Sequence, residues 1–256
     1  MTKPTAVDGA ALLRWVELEL TEPPWPETDP FLGFVYLDPQ AGLSTKGGRA
    51  GDPSQVERPG LTVRLPIGVP GRVLDDDEVA RRGLPATPSW LSFYGPQPPA
   101  SGPWRSDPGL RGRFHAQYPD DLQVLVHDGE PRRSGKRTEV CWVRVVAGDG
   151  GVYEGELLNQ PHQLATVKAG QRIRFLAAPG GRHPLYVTEE YMSERPGWDI
   201  QPCPSCGMHE TLDPPSVMAK TRFPDAGDGM DVPLMFTAHC ALCGPPHALV
   251  VKRRGE

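Results

Sequence analysis

The sequence predicts a mainly β protein, a β-rich α+β chain in three parts, and three observations lead there. The 256 residues include 31 prolines and 29 glycines, so few stretches are free of both helix breakers and long helices are excluded. Apolar residues gather instead in short runs, several of them alternating with polar residues as half-buried strands require. The third observation is a pair of Cys-x-x-Cys-Gly motifs near the C-terminus. They mark a metal-stapled unit whose own core is too small to fold it.

The first part, residues 1–103, is irregular and carries 16 prolines. Leu12 to Leu20 ends in alternation, with Val16, Leu18 and Leu20 on one side and Glu17 and Glu19 on the other. It reads as a strand, with a short helix capped by Asp8 as the alternative. Phe31 to Leu37, between Pro30 and Pro39, is a second strand, and Leu61 to Leu65, stopped by Pro66, a third. Asp75 to Gly83 sets acids first, arginines last and a glycine at the end, an order that suits the helix dipole and predicts one or two helical turns. Lys46-Gly47-Gly48-Arg49-Ala50-Gly51 has the wrong order for a phosphate-binding loop and reads as a flexible loop. Pro85 to Pro108 reads as a proline-rich connection over the surface.

The second part, residues 104–198, has cleaner β signals. Leu122 to His127 is an apolar strand entering an Asp128-Gly129 turn. Glu139 to Val146 and Val152 to Leu158, joined through Ala147-Gly148-Asp149-Gly150-Gly151, predict a hairpin. Large apolar side chains on both faces of its first strand predict cover on both sides. Ile173 to Leu176 is a further strand, and Thr188, followed by Glu189 and Glu190, predicts a short helix ended by Pro196-Gly197. Trp142-Val143-x-Val145, Gly155-x-Leu157-x-Asn159-x-Pro161 and Lys168-x-Gly170-x-x-Ile173-x-Phe175 together resemble a small bacterial β-domain known only as a domain of unknown function. Gln171 stands where that family has an acid, and Trp198-Asp199 reverses its closing pair. Over residues 139–198 the resemblance implies an SH3-like β-roll and brings no activity with it.

The third part, residues 199–256, is read as a zinc ribbon. Cys203-Pro-Ser-Cys206-Gly207 and Cys240-Ala-Leu-Cys243-Gly244 follow one another with 33 residues between Cys206 and Cys240. Two residues between paired cysteines let one tight turn present both sulfurs to a tetrahedral ion, and the glycine tolerates the turn's positive φ. Cys203, Cys206, Cys240 and Cys243 are therefore expected to hold one structural Zn²⁺, and four thiolates leave no open position for catalysis. A strand is expected on each side of each knuckle, with Asp213 to Asp231 projecting as a loop. His209, His239 and His247 lie nearby in sequence and are not expected to be ligands.

Function is sketched chiefly by exclusion. The formal charge is −5, and residues 199–251 hold only Lys220 and Arg222 against six acids, a poor basis for binding phosphates. No apolar stretch approaches the roughly 18 residues of a membrane span, the N-terminus lacks the regions of a signal peptide, and metal-spaced cysteines point to a reducing, cytoplasmic compartment. The basic residues, 21 Arg against 6 Lys, reflect the coding bias of a GC-rich bacterial genome. Asp75, Asp76 and Asp77 are consecutive and point in different directions, so they read as a solvated helix start. Cys141 sits mid-strand and reads as a buried, inert thiol. His115, His127 and His162 read as scattered surface residues. The expectation is a non-enzymatic, regulatory or protein-binding module whose partner is another protein. One alternative is an enzyme in which His115, His127, His162, Glu189 and Glu190 converge. The other is nucleic-acid binding through the ribbon.

Overall fold

The computed structural model describes residues 5–7, 9–20, 30–51, 56, 58–65, 69–99, 102–129, 131–177, 183–224 and 233–252. The alternative cap at Asp8 lies outside them. The chain is mainly β, as its composition requires, with three sheets and four short α-helices among these residues. Among the described residues, no helix is long and apolar enough to cross a membrane. The fold divides into two compact units, Met1–Ser106 with Phe114–Asp120, and Asp107–Arg113 with Asp121–Glu256.

The first unit holds a six-stranded sheet built from β1 (Thr5–Val7), β2 (Trp15–Leu18), β3 (Phe31–Asp38), β4 (Gly42–Arg49), β5 (Leu61–Arg64) and β6 (Val69–Val73), in the order β1-β6-β2-β3-β4-β5. β3 explains why its run is almost wholly apolar. Phe31 and Val35 join a core with Val16, Leu18, Leu43 and Leu65, whereas Leu32, Phe34 and Tyr36 join a second core with Trp15, Leu74 and Trp90. A strand covered on both faces has no place for polar alternation. The segment expected to lie over the surface supplies the second cover: Trp90 and Leu91 are buried, and Trp15 Nε1 donates to the Pro85 carbonyl at 2.8 Å. Further on, Asp120 accepts from Trp104 Nε1 and Arg105 Nε, each at 2.8 Å. Proline runs lack helix and strand periodicity, and here the aromatic residues between them do the packing.

A second correction concerns Lys46 to Gly51, read as a loop. Its first four residues end β4, where Gly47 stands opposite Gly33. A Cβ on Gly47 would sit 2.0 Å from the Leu32 carbonyl oxygen. Glycine disfavours strands by propensity, yet close backbone approach requires it here. The helix expected after Asp75 forms as α1 (Asp76–Arg81), with Asp75 Oδ1 accepting from the Glu78 N–H at 2.7 Å.

In the second unit, β8 (Tyr118–Val126), preceded by the two-residue β7 (Phe114–His115) in the first unit, pairs with β9 (Glu139–Asp149). The turn α2 (Pro131–Ser134) lies between β8 and β9. The expected hairpin joins β9 to β10 (Val152–Leu157), turning through Gly150 and Gly151 at φ 56° and 88°. β11 (Arg172–Leu176) and β12 (Leu185–Val187) complete the sheet, and β12 also pairs in parallel with β8 at Leu125, closing the sheet on itself. Closure gives the sheet one inner face. Cys141, Val143 and Val145 are buried on it, whereas Val140 and Val146 on the other face are exposed. The expected double cover of this strand is therefore absent, because a closed barrel buries a single side. Thr188 caps α3 (Glu189–Glu194) by accepting from the Tyr191 N–H at 3.1 Å.

The chain then forms a three-stranded sheet, β13 (Trp198–Ile200), β14 (Met235–His239) and β15 (Pro246–Val251), in the order β13-β15-β14. His209 to Leu212 make no strand, contrary to expectation. Nor does the following segment simply project. Its first half forms α4 (Pro215–Arg222), which sets Met218 and Ala219 into a core with Trp198, Ile200, Phe236 and Leu249. Residues 225–232 lie outside the described residues.

Candidate metal centre

Two turns of the same construction carry the four cysteines. In the first, the Cys203 N–H donates to the Met208 carbonyl at 2.8 Å, and the Gly207 N–H donates to the Cys203 carbonyl at 2.9 Å. In the second, Cys240 N–H reaches the Pro245 carbonyl at 2.9 Å, and Gly244 N–H the Cys240 carbonyl at 3.0 Å. Gly207 and Gly244 both take positive φ, 74° and 93°, a conformation that costs other residues energy. The doubled Cys-x-x-Cys-Gly pattern is thus a doubled backbone pattern.

The turns bring all four sulfurs within 4.8 Å of one another. Contacts cross between the turns, Cys203 to Cys243 at 3.4 Å and Cys206 to Cys240 at 3.6 Å. A disulfide needs about 2.05 Å, so these are separate thiols. Thiolates about 2.3 Å from a tetrahedral ion would stand about 3.8 Å apart, and the cluster fits that figure. Its electrostatics favour a cation too. Backbone N–H groups of Cys206 and Ser205 pull the Cys203 thiol down to about 6. Burial, reinforced by the Cys203 and Cys240 sulfurs, pushes Cys206 and Cys243 up. Four thiolates this close repel one another, so a full set needs positive charge among the sulfurs. The donor set therefore fits a thiophilic metal ion.

The centre is anchored in the second unit's core. Cys203 and Cys240 are buried in one cluster with Leu125, Leu185, Val187, Tyr191, Met208 and Leu212. Beside it, buried Glu210 accepts from the Tyr191 hydroxyl and from Arg195 Nε, the latter at 2.7 Å. Burial, reinforced by Glu210, pushes the Tyr191 hydroxyl well above its ordinary value. Sequence reading missed this network. Its members lie on α3, at the helix end and after the first turn, with no spacing to link them.

The nearby histidines are engaged elsewhere. His239 Nδ1 pairs with the Gly244 carbonyl at 2.9 Å, and His247 Nδ1 with the Gln201 carbonyl at 3.0 Å. His209 Nε2 lies 3.8 Å from Glu210. Among the described residues, no other group of three or more His, Cys, Asp or Glu side chains converges as the cysteines do. His127, read as a surface residue, is buried. Its Nε2 donates to the Tyr186 carbonyl at 2.8 Å while Nδ1 accepts from the Gly129 N–H at 3.1 Å. Burial pushes its pKa down, so it stays neutral. His115 Nδ1 accepts from the Gln117 N–H at 3.1 Å. His162 is exposed, and its backbone N–H is held by Glu139 at 2.6 Å. Glu189 and Glu190 are exposed in the first turn of α3. Cys141 is buried at 1% exposure, and burial raises its thiol pKa.

Comparison with protein-family models, with curated proteins and with solved structures finds no match to this chain. The likeness of residues 139–198 to a bacterial β-domain rests on its short motifs alone.

Proposed function

We propose that the chain is a zinc-stapled, protein-binding module of the bacterial cytoplasm, with one structural Zn²⁺ held by Cys203, Cys206, Cys240 and Cys243 and no catalytic step of its own. The observation that carries this reading is the meeting of four sulfurs from two matching turns. Four thiolates complete a tetrahedron, which suits a structural ion and leaves no place for a reacting water. Zinc is the choice over iron because a site that only cross-links needs no redox couple, and the thiolates must stay reduced to serve it. Bound, the ion would join the segment around Cys203 to β14 and β15 through Cys240 and Cys243.

What supports a protein partner is the outer edge of β14. Among the described residues, this strand ends its sheet. The hydrogen bonds from Val251 N–H to the Leu234 carbonyl and from Cys240 N–H to the Pro245 carbonyl put the even-numbered residues in register with β15. Met235 and Thr237 therefore turn their backbone groups outward. Leu234 and Met235 are 73% and 64% exposed, and Phe223 and Leu242 add further apolar surface. An exposed edge flanked by large apolar side chains favours strand addition by a protein. The scarcity of cations in the sequence disfavours nucleic acid, since Lys220 and Arg222 are the only Lys or Arg in residues 199–251, ahead of the terminal Lys252-Arg253-Arg254.

The test is elemental analysis of gel-filtered protein with a visible spectrum alongside. One zinc per chain and a colourless sample are expected, and Cys206→Ser should lower both metal content and stability. A metal-free chain of unchanged stability, or a coloured iron-loaded one, would overturn the metal assignment. Met235→Asp should abolish partner capture while leaving zinc in place; retained capture would remove β14 from the reading.

A further inference from the structure

The four sulfurs are alike in sequence and unlike in access. Cys203 and Cys240 are 2% and 5% exposed and belong to the core. Cys206 is partly covered, and Cys243 is exposed, on a turn in which Ala241, Leu242 and Gly244 are exposed as well. An oxidant arriving from solvent meets Cys243 first. Across the turns, Cys203 stands in direct contact with it, the two sulfurs 3.4 Å apart.

We propose, resting on the zinc reading above, that Cys243 is the oxidation site of this centre, and that Cys203 resolves it as a disulfide joining the two turns while the ion leaves. The oxidant is hydrogen peroxide. The Cys243 thiolate attacks one peroxide oxygen, an S–O bond forms, the O–O bond breaks, and hydroxide departs; sulfur is oxidised to the sulfenic acid and the peroxide is reduced. The Cys203 thiolate then attacks the Cys243 sulfur, the S–S bond forms, the S–O bond breaks, and a second hydroxide departs. Two electrons have passed from two thiolates to one peroxide, and the two hydroxides are neutralised by two protons from the buffer. Zinc, left with Cys206 and Cys240, has lost half its ligands and is released to water. The connectivity decides what survives. A disulfide within each turn would leave the turns unlinked, whereas Cys203–Cys243 replaces the cross-link that the ion had supplied. The oxidised ribbon stays closed, and a thiol reductant restores the ligand set.

The experiment uses the full-length chain, freed of reductant, with zinc content measured first. Less than one zinc per chain at that stage would count against the zinc reading itself. The loaded protein is then treated with hydrogen peroxide, with dimedone in one arm and a zinc-binding dye in the other, and both arms are mapped by non-reducing peptide mass spectrometry. A dimedone adduct on Cys243, a Cys203–Cys243 disulfide without dimedone, and one zinc released per disulfide are expected. Cys243→His keeps a ligand atom but removes the oxidisable sulfur, and release should slow by roughly tenfold or more. A first adduct on Cys206, disulfides confined to Cys203–Cys206 and Cys240–Cys243, or release from Cys243→His at the parent rate would overturn the proposal and leave the zinc reading standing.

Discussion

Val143→Asp is the sharpest test of the barrel. Val143 is 0% exposed and stands in register with Leu122 on β8 and Leu157 on β10, both also 0% exposed. None of these side chains offers a hydrogen bond, so an aspartate there would be buried without a polar partner on either flank. Burying an unpartnered polar group costs about 2–7 kcal/mol, and the lost apolar contact adds about 1–2 more. Domains are stable by about 5–15 kcal/mol, so the substitution should remove much or all of the margin. Val146 supplies the control. It lies on the same strand with its side chain on the opposite face and 36% exposed, so Val146→Asp should cost no more than about 1 kcal/mol. Urea titrations of both variants, followed by near-ultraviolet circular dichroism, read the difference directly. Equal losses from the two would refute the single-faced strand, and with it the closed barrel.

Three smaller perturbations probe other parts of the chain. Gly47→Ala would place a Cβ 2.0 Å from the Leu32 carbonyl oxygen, and by forcing β3 and β4 apart should cost about 1–3 kcal/mol. Gly51→Ala, with open space around its Cβ, should be near neutral in the same thermal melt. Asp75→Ala removes the acceptor for the Glu78 N–H and should cost about 1 kcal/mol; an unchanged melting temperature would mean that this cap contributes nothing. His127 is held neutral by burial, its folded pKa lying below its unfolded value. The unfolded chain therefore takes up a proton first as pH falls below about 6.5, and stability should decline there by up to about 1.4 kcal/mol per pH unit. His127→Gln should flatten that decline between pH 6.5 and 5, and an unchanged slope would exclude His127 as its source.

The parts of the fold that could be read from sequence are those specified within a few residues. The Thr188 cap and the acid-to-base order of α1 each fix local backbone geometry and are present as expected, and the hairpin expected to turn over Ala147–Gly151 turns in its last two residues, Gly150 and Gly151, with β9 running on to Asp149. Readings that depended on what lies across a sheet fared worse. Gly47 is a strand residue because of Gly33, which lies 14 positions away in sequence and opposite it in register. Trp90 is a core residue because Phe34 and Tyr36 present their rings to it, with centroids 6.3 and 5.3 Å away. Propensity marks one as loop and proline density marks the other as surface, and tertiary packing overrides both.

The cysteines were legible for the same local reason, since a Cys-x-x-Cys-Gly turn encodes its own hydrogen bonds and needs only a second copy to close a tetrahedron. What sequence could not disclose is the inequality of the four. Cys203 and Cys240 open their motifs and are drawn inward by Leu185, Val187 and Tyr191, residues supplied by β12 and α3. Cys243 closes the second motif on a turn that nothing covers among the described residues. Spacing determines that four sulfurs can meet; the packing behind them determines which one faces water. A site read as a uniform set of ligands is therefore, in the folded chain, a directional one, with two sulfurs fixed in the core and one presented to whatever reagent solvent carries.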